Sequence, residues 1–280
     1  MTSPTSSLSA HRVTTLAVAN QKGGVAKTTS VASLGAALAE LGHSVLLVDL
    51  DPQACLTFSL GIDPEDVELS VHHVLTKGTH VDEVVIETDD GVDLLPATIE
   101  LARAEADLLT RTGREQVLKA ALADLLDDEE GSTYDWVLLD CPPSLGVLTV
   151  AALTAADGVL IPLQCETLSH RGVGQLLDTV HDVRRFTNPD LEVWGVLPTL
   201  YDGRTNHART VLETISSTYD LEVIEPPIPK TIKFAEAPAA GRSILATSRS
   251  SKGAKAYREA AVHLVERSQR PRMRGKSRKR

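Results

Sequence analysis

The feature that most restricts the fold is a glycine-containing loop with two lysines, set between a strand pattern and a helix pattern. The loop reads Lys22-Gly23-Gly24-Val25-Ala26-Lys27-Thr28-Thr29. The run Val13–Ala19 before it is apolar and β-branched, and Thr28–Leu41 after it repeats apolar residues at helical spacing. A loop in this setting turns backbone N–H groups and a helix N-terminus toward an anion. We therefore predict a phosphate-binding loop.

The residue types of this loop suit a nucleoside triphosphate. Two glycines let backbone N–H groups surround phosphate oxygens. Lys27 is placed to reach the β- and γ-phosphates, and the Thr28 hydroxyl is placed to bind Mg²⁺. We expect ATP and Mg²⁺ as cofactors, bound by Gly23, Gly24, Val25, Ala26, Lys27, Thr28 and Thr29.

The remaining chain alternates strand and helix patterns, which predicts one α/β domain with a doubly wound, mostly parallel sheet and helices on both faces. Aromatic residues make up only 3% of the chain, so the core must be aliphatic. We expect a disordered arm at 1–12, the domain at 13–268 and a basic disordered tail at 269–280. The predicted strands after the loop are 44–48, 92–95, 134–139, 159–163, 191–200 and 221–224; the helices are 100–109, 114–126, 145–156, 169–186, 206–219 and 252–268.

Three aspartates follow predicted strands. Asp49 and Asp51 end the strand after the loop helix, and Asp140 ends a later one. The carboxyl ends of parallel strands meet at one edge of a sheet, where ligands of α/β folds bind. We therefore expect all three beside the phosphate loop, with Asp140 holding Mg²⁺.

The net charge of −10 is unevenly distributed. Residues 267–280 carry eight positive charges and no acid, so subtracting them leaves −18 for the rest. An acidic body with a basic tail is a pattern of chains that contact polyanions, although a solubilising tail is an alternative. No apolar run is long enough to span a bilayer, and Met1–Arg12 lacks the apolar segment of a secretory signal. The cysteines Cys55, Cys141 and Cys165 form no CxxC pair, which favours reduced thiols over a zinc site.

The loop resembles the deviant Walker A motif, K-G-G-x-x-K-[ST], of the ParA/MinD group, whose relatives include nitrogenase iron protein and the ArsA ATPases. The resemblance extends over about residues 13–266, through D-C-P-P-S-L-G at 140–146, I-P-L-Q-C-E at 161–166, Y-D-G-R-T-N at 201–206 and A-E-A-P at 235–238. These motifs are most similar to the small chromosomal ParA proteins of the Soj type. The helix-turn-helix domain that precedes the ATPase in larger plasmid ParA proteins is not expected, and neither is operator-specific repression.

The resemblance implies a switch. Lys22 reaches across a homodimer to the partner's nucleotide, Asp51 positions or activates the attacking water, and Asp49 serves structure and magnesium with Thr28 and Asp140. The ATP dimer binds DNA without sequence preference. A ParB-like protein stimulates slow hydrolysis, and the location is cytoplasmic, on the nucleoid. The DNA-contact candidates are Arg204, Lys233, Arg249 and Lys252.

Departures from the family pattern, and three other functions, are open at this point. Ala26 replaces a usual glycine, which is tolerable if its φ is negative; Thr167 and Leu168 replace two tyrosines; Lys230 and Lys233 replace arginines, which keeps charge but loses bidentate geometry. A MinD-like membrane switch needs an amphipathic C-terminal helix, which the tail does not predict. An iron–sulfur reductase needs cluster cysteines, and a metabolic ligase does not need Lys22.

Overall fold

The computed structural model describes residues 13–126, 132–166, 169–204 and 206–270. Predictions for the arm at 1–12, for Thr167 and Leu168, and for the tail beyond Arg270 lie outside these residues. The strands are β1 (Thr14–Val18), β2 (Val45–Asp49), β3 (Ile86–Glu87), β4 (Asp93–Leu95), β5 (Trp136–Asp140), β6 (Gly158–Gln164) and β7 (Glu192–Thr199).

The helices lie between and after these strands, with 3-10 turns at Val81–Glu83 and Arg114–Gln116. They are α1 (Lys27–Glu40), α2 (Cys55–Ser59), α3 (Val71–Lys77), α4 (Leu101–Leu108), α5 (Val117–Ala121), α6 (Ala123–Leu126), α7 (Val147–Ala155), α8 (Ser169–Phe186), α9 (Asn206–Tyr219), α10 (Lys233–Ala239), α11 (Ile244–Thr247) and α12 (Lys252–Ser268). Among the described residues, no helix combines the length and the apolar character that a membrane span requires.

The seven strands form one sheet in the order β3-β4-β2-β5-β1-β6-β7. Every pair is parallel except β3 with β4, so the predicted mostly parallel sheet is confirmed. The chain moves from β1 outward to β2 and later from β5 outward to β6. The loops after β1 and β5, neighbours at the centre, therefore diverge to opposite faces, and this arrangement forms a ligand crevice.

Apolar residues of the central strands are buried on both faces of the sheet. Leu16 and Val18 of β1 pack in a core with α1 and α12, whereas Ala17 between them packs in a second core with α7 and α8. Alternate residues of a strand point to opposite faces, so a strand that is covered on both sides must be apolar throughout. The doubly wound prediction is thereby confirmed.

Several predicted elements differ from the structure. The predicted strand Leu221–Ile224 is an isolated bridge between Val196 and Val223. The predicted helix 114–126 is interrupted because the chain tightens at Leu122, where the Leu125 N–H binds a carbonyl three residues back. Five elements were not predicted: α2, α3, β3, α10 and α11.

The first basic residues of the segment 267–280 contact acids of the folded chain. Arg267 lies in the last turn of α12, and its guanidinium contacts Glu222 at 2.9 Å and Glu192 at 3.4 Å. Arg270 follows at 3.9 Å from Glu222. Acids at the start of β7 and after α9 therefore partly neutralise the first two of the eight positive charges counted at 267–280.

Candidate nucleotide-binding site

The predicted phosphate loop connects β1 to α1, as expected. Lys27 is the first residue of α1, and Gly24 has a φ of 74°, which glycine adopts without a steric penalty. Ala26, immediately before the helix, has a φ of 62° and a ψ of 37°. The condition under which alanine would be tolerated, a negative φ, is therefore not met, because the turn into α1 uses a left-handed residue at this position. An alanine in that conformation costs about 1 kcal/mol relative to glycine.

The two lysines of the loop occupy different environments. Lys27 is buried, and its Nζ donates to the Lys22 carbonyl oxygen at 3.2 Å. Burial lowers its pKa, and the nearby Asp140 and Asp51 carboxylates oppose that shift. The Lys22 side chain is 35% exposed, and its Nζ contacts Glu166 at the end of β6. Lys27 therefore faces into the cradle, and Lys22 lies at its rim.

The sheet register brings two of the predicted carboxylates together. Asp49 ends β2 and Asp140 ends β5, and the two are paired across these neighbouring strands. Asp140 is also paired with Val18 of β1, which packs on the α1 side of the sheet. Paired residues of parallel strands point to the same face, so both carboxylates point toward the first turn of α1. Both are fully buried.

Asp140 is the less compensated of the pair. Among the described residues, no donor lies at the distance and angle of a hydrogen bond to either of its carboxylate oxygens. Burial raises its pKa well above the usual range, and the neighbouring Asp49 raises it further; the Thr28 hydroxyl and Lys27 act in the opposite direction. A buried carboxylate without donors is unfavourable unless a cation compensates it. The residues thus fit a divalent cation between Asp140 and Thr28.

Asp49 has a full set of donors. Its Oδ2 accepts from the Thr57 backbone N–H at 2.9 Å and from the Thr57 hydroxyl at 2.8 Å. Its Oδ1 accepts from the Asp51 N–H at 3.1 Å. Burial raises the pKa of Asp49, and these three hydrogen bonds oppose the shift because they stabilise the ionised form. Asp49 is therefore a junction between β2, the following loop and α2.

Asp51 lies in that loop, near the buried pair but more exposed. Its Oδ1 accepts from the Gln53 N–H at 3.0 Å, which leaves the other carboxylate oxygen without an intramolecular hydrogen bond among the described residues. Its charge is close enough to act on Lys27 and Asp140. The prediction that all three aspartates lie beside the phosphate loop therefore agrees with the geometry.

The loop after β5 approaches the phosphate loop. A Cβ placed on Gly23 would lie 4.0 Å from the Pro143 Cβ, so the phosphate loop and the loop after β5 are within van der Waals distance of each other. Cys141 between Asp140 and Pro143 is fully buried, and burial raises its pKa far above the usual thiol value. Pro143 of the loop after β5 therefore lies against the phosphate loop.

The candidate DNA contacts are exposed and paired with local acids. Arg204 is 90% exposed in its side chain and donates to Asp202 through Nε and Nη2, both at 2.8 Å. Lys233, the first residue of α10, donates to Glu236 at 2.7 Å. The Lys230 N–H binds the Tyr201 carbonyl, so the loops carrying Arg204 and Lys233 are neighbours.

The other two candidates lie at or just before the start of α12. Arg249 is 3.6 Å from Glu40, the last residue of α1. A 14-residue helix rises about 20 Å, so this pair is far from the phosphate loop at the other end of α1. Lys252 is exposed at the start of α12, and it forms no ion pair with the residues that the structure describes. The residue after Lys252, Gly253, packs against Phe234, the residue after Lys233, so the start of α12 adjoins the start of α10.

Two residues of the site received no role from sequence reasoning. Glu166 was quoted only as part of a motif, although it binds Lys22. Thr57 lies on α2, which was not predicted, and its link to Asp49 depends on that helix folding back onto β2. The spacing of eight residues carries no signal by itself; a prediction of α2 would have been needed to find it.

Comparison with known proteins supports this geometry. A family described as AAA domain matches residues 13–193. The sporulation initiation inhibitor protein Soj of Bacillus subtilis is 43% identical, with 89% of this chain and 97% of the relative covered. The chromosome partitioning protein ParA of Caulobacter vibrioides is 38% identical, with 93% and 97% covered.

Solved structures give the same fold. A Mycobacterium smegmatis structure named cobyrinic acid a,c-diamide synthase, with bound ADP and magnesium, is 55% identical, has a TM-score of 0.80 and covers 91% of this chain and 95% of that one. An ATP complex of a McdA variant from Cyanothece, at 23% identity, covers 91% and 97% with a TM-score of 0.80 and supports the fold alone. With two relatives near 40% identity over almost their whole length, the chain belongs to the ParA/Soj family of P-loop ATPases.

Proposed function

We propose that this chain is an ATP-dependent dimerising ATPase that binds DNA without sequence preference in its ATP-bound state. It takes part in chromosome or plasmid partitioning with a ParB-like partner, in the cytoplasm and on the nucleoid. Its cofactors are ATP and Mg²⁺, which the ADP and magnesium of the Mycobacterium smegmatis structure support. The Soj and ParA relatives support the role in partitioning.

The residues of the cradle divide the chemistry. Backbone N–H groups of residues 23–29 surround the phosphates, and Lys27 neutralises charge on the β- and γ-phosphates. Thr28 and Asp140 would hold Mg²⁺, with Asp49 behind them; the ion would neutralise developing charge on the phosphate oxygens. Asp51, with one carboxylate oxygen not engaged by the Gln53 N–H, positions the attacking water.

The observation that carries the dimeric switch is the placement of Lys22. It belongs to the loop but lies at its rim, half-exposed on Glu166, while Lys27 already fills the cradle. A second cation at the rim is suited to a phosphate of another subunit. Such a contact in trans would make dimerisation depend on ATP, because the phosphate that Lys22 would bind in place of Glu166 is present only when the partner holds nucleotide.

Dimerisation can be tested by light scattering after size-exclusion chromatography. Asp51→Ala, which is expected to retain ATP, should be monomeric without nucleotide and dimeric with ATP. Lys22→Ala should bind ATP and remain monomeric, whereas Lys27→Ala should lose nucleotide. A dimer that forms equally well without nucleotide would contradict the proposal.

Turnover should be slow and should increase with a partner. Steady-state hydrolysis by the chain alone is expected well below the roughly 10 s⁻¹ typical of enzymes, because a switch must remain in its ATP state long enough to act. DNA together with a ParB-like protein should raise the rate. Rapid hydrolysis without any partner would favour a metabolic enzyme.

DNA binding is proposed through Arg204 and Lys233, with Arg249 and Lys252 as weaker candidates. Each subunit offers one weak DNA-binding surface, and a dimer presents two of them to one duplex. Once one surface binds, the second is held at a high effective concentration near the same DNA, so dimerisation raises the affinity for DNA. Gel shifts on unrelated sequences should show binding with ATP and little with ADP, for the full chain and for a chain that ends at Ser268. Equal binding with ADP by the shorter chain would contradict the proposal, and pelleting with anionic vesicles without DNA binding would favour the MinD-like alternative.

A second candidate comes from the name of the Mycobacterium smegmatis structure, which denotes an ATP-dependent amide synthase. If glutamine were the nitrogen donor, its hydrolysis would need a reactive thiolate. The environments of Cys55, Cys141 and Cys165 all raise the thiol pKa, which disfavours that chemistry. ATP turnover that depends on an added carboxylic acid and ammonia, and not on DNA, would support the synthase.

A further inference from the structure

Thr57 is buried behind the nucleotide site and saturated with hydrogen bonds. Its side chain is inaccessible to solvent on α2. The hydroxyl donates to Asp49 Oδ2 at 2.8 Å and accepts from the Ala97 N–H at 3.0 Å. The hydroxyl therefore has a single orientation, because the Ala97 donor leaves Asp49 as the acceptor for its proton.

The effect of this hydroxyl continues to Asp51. Asp49 has limited freedom once Thr57 fixes Oδ2, and its Oδ1 accepts from the Asp51 N–H. Asp51 is thus held by its backbone through Asp49, while its own side chain is held only by Gln53. An error of about 1 Å in placing a group that acts on water can reduce turnover by two orders of magnitude.

A simpler explanation is that Asp49 only caps α2. The residue before α2, Ala54, offers no side-chain cap, and the Thr57 backbone N–H is one of the free donors of the first turn. That role needs only the backbone donor. The hydroxyl bond to the same oxygen is additional, and a substitution that removes the hydroxyl but keeps the N–H separates the two explanations.

We propose that Thr57 is a positioning residue for ATP hydrolysis, whose hydroxyl fixes the Asp49 carboxylate and, through it, the main chain of Asp51. The inference rests on the proposed role of Asp51 in positioning water. It assigns α2 a direct function in the site: α2 is the support that holds the β2 acids in register with the phosphate loop.

The test compares Thr57→Val, which keeps the shape and the backbone N–H, with Thr57→Ser, which keeps the hydroxyl. In the full chain, Thr57→Val should lower kcat by about 10- to 100-fold, the effect of losing a hydrogen bond to a charged group, and leave the KM for ATP within about twofold. Thr57→Ser should recover most of kcat. The matched control is Thr154→Val, which removes an equally buried hydroxyl from α7, where Thr154 bonds to Thr187.

A second measurement does not depend on turnover. Hydrogen exchange of the nucleotide-free chain should be faster at the Asp51 amide in Thr57→Val than in wild type or Thr154→Val. Thr57→Ala, which cannot overfill the site, gives the same test if the valine variant does not fold. The proposal would be overturned if the variants without the hydroxyl kept the wild-type kcat and the wild-type exchange rate at Asp51. It would also be overturned if only the KM for ATP changed.

Failure of this inference is distinguishable from failure of the proposed function. If Asp51→Ala abolishes turnover and Thr57→Val does not change it, only the positioning role is wrong. If Asp51→Ala hydrolyses ATP like wild type, the role of Asp51 is wrong, and the exchange measurement alone still reports whether Thr57 fixes its backbone.

Discussion

Asp140 at the end of β5 and the bases at 204 and 233 differ in how their charges are compensated. Asp49 and Asp140 are inaccessible to solvent, and Asp140 has no hydrogen-bond donor by geometry among the described residues. Arg204 is 90% exposed in its side chain, and its own loop supplies a carboxylate that binds it through two nitrogens. Lys233 is likewise paired within its helix.

This difference indicates how each region can bind a ligand. The nucleotide site holds charge that the protein leaves uncompensated, so a ligand with a divalent cation removes an existing penalty as it binds. Arg204 and Lys233 already have partners, so a DNA phosphate must compete with Asp202 or Glu236. We therefore expect strong nucleotide binding by one subunit, and DNA binding that requires two.

The largest expected effect that tests this comparison is at Asp140. Asp140→Asn should reduce ATP hydrolysis by about 100-fold or more, because a neutral amide is a poor ligand for Mg²⁺. The same variant should stabilise the nucleotide-free chain by about 1–3 kcal/mol, since it removes an uncompensated buried charge. Thermal unfolding without nucleotide measures the second effect.

Two controls sharpen that prediction. The raised pKa of Asp140 means that the folded chain holds its proton more tightly than the unfolded chain, so this contribution to stability is present at low pH and is lost as pH rises through the folded value. Asp140→Asn should lack that loss. Asp90, also buried but bound to Arg242 and the Ser243 N–H, gives the opposite case, and Asp90→Asn should destabilise. Destabilisation by both variants would contradict the comparison.

A contact between two glycines links the two regions. Gly61 follows α2, Gly241 follows α10, and a Cβ on Gly241 would lie 2.7 Å from the Gly61 Cα. Gly241→Ala should destabilise by about 2–4 kcal/mol through overpacking added to its positive φ. Gly78→Ala is a matched control, because its φ is +73° and nothing lies within 4 Å of the added Cβ; it should cost only about 1 kcal/mol.

The functional consequence of that contact is also measurable. Because α10 carries Lys233, its displacement in Gly241→Ala should weaken ATP-dependent DNA binding while nucleotide affinity stays within about twofold. Equal losses of stability in the alanine variants of Gly241 and Gly78 would show that the backbone conformation matters and the contact does not.

The sequence predicted the central elements because their signals are local. The β1–loop–α1 unit, the acids that end β2 and β5, and the helices α8, α9 and α12 each follow from periodicity or from a motif within a few residues. The short elements α2, α10 and α11 depend on tertiary contacts such as Thr57 with Ala97 and Asp90 with Arg242, which join residues far apart in sequence. The charge pairing of Arg267 with Glu192 and Glu222 could not be predicted either, since it depends on which acids the fold brings near.

A smaller effect is expected at Ala26, the alanine with a left-handed backbone before α1. Ala26→Gly should relieve the strain of a left-handed alanine, which corresponds to about 1 kcal/mol or about fivefold. Nucleotide affinity should rise by up to that factor if the loop rearranges in the free chain, and stability alone should rise if it does not. Equilibrium binding of a fluorescent ADP analogue and thermal unfolding separate the two outcomes. A loss of both would show that the alanine is not strained.

The smallest expected effect concerns the acid that competes with DNA. Asp202 binds Arg204 through both carboxylate oxygens, and this contact lowers the pKa of Asp202 to about 2, so it is ionised at any pH used for DNA binding. Asp202→Asn should release the guanidinium and raise ATP-dependent DNA affinity by about two- to fivefold at low salt, with a steeper decline as salt increases. Asp178→Asn on the exposed surface of α8 changes the net charge equally and controls for it. Because exposed ion pairs are weak and screened, the difference between the two variants should vanish at high salt. Equal gains in both variants would show that net charge alone governs binding, and no gain in Asp202→Asn would mean that Arg204 does not contact the duplex.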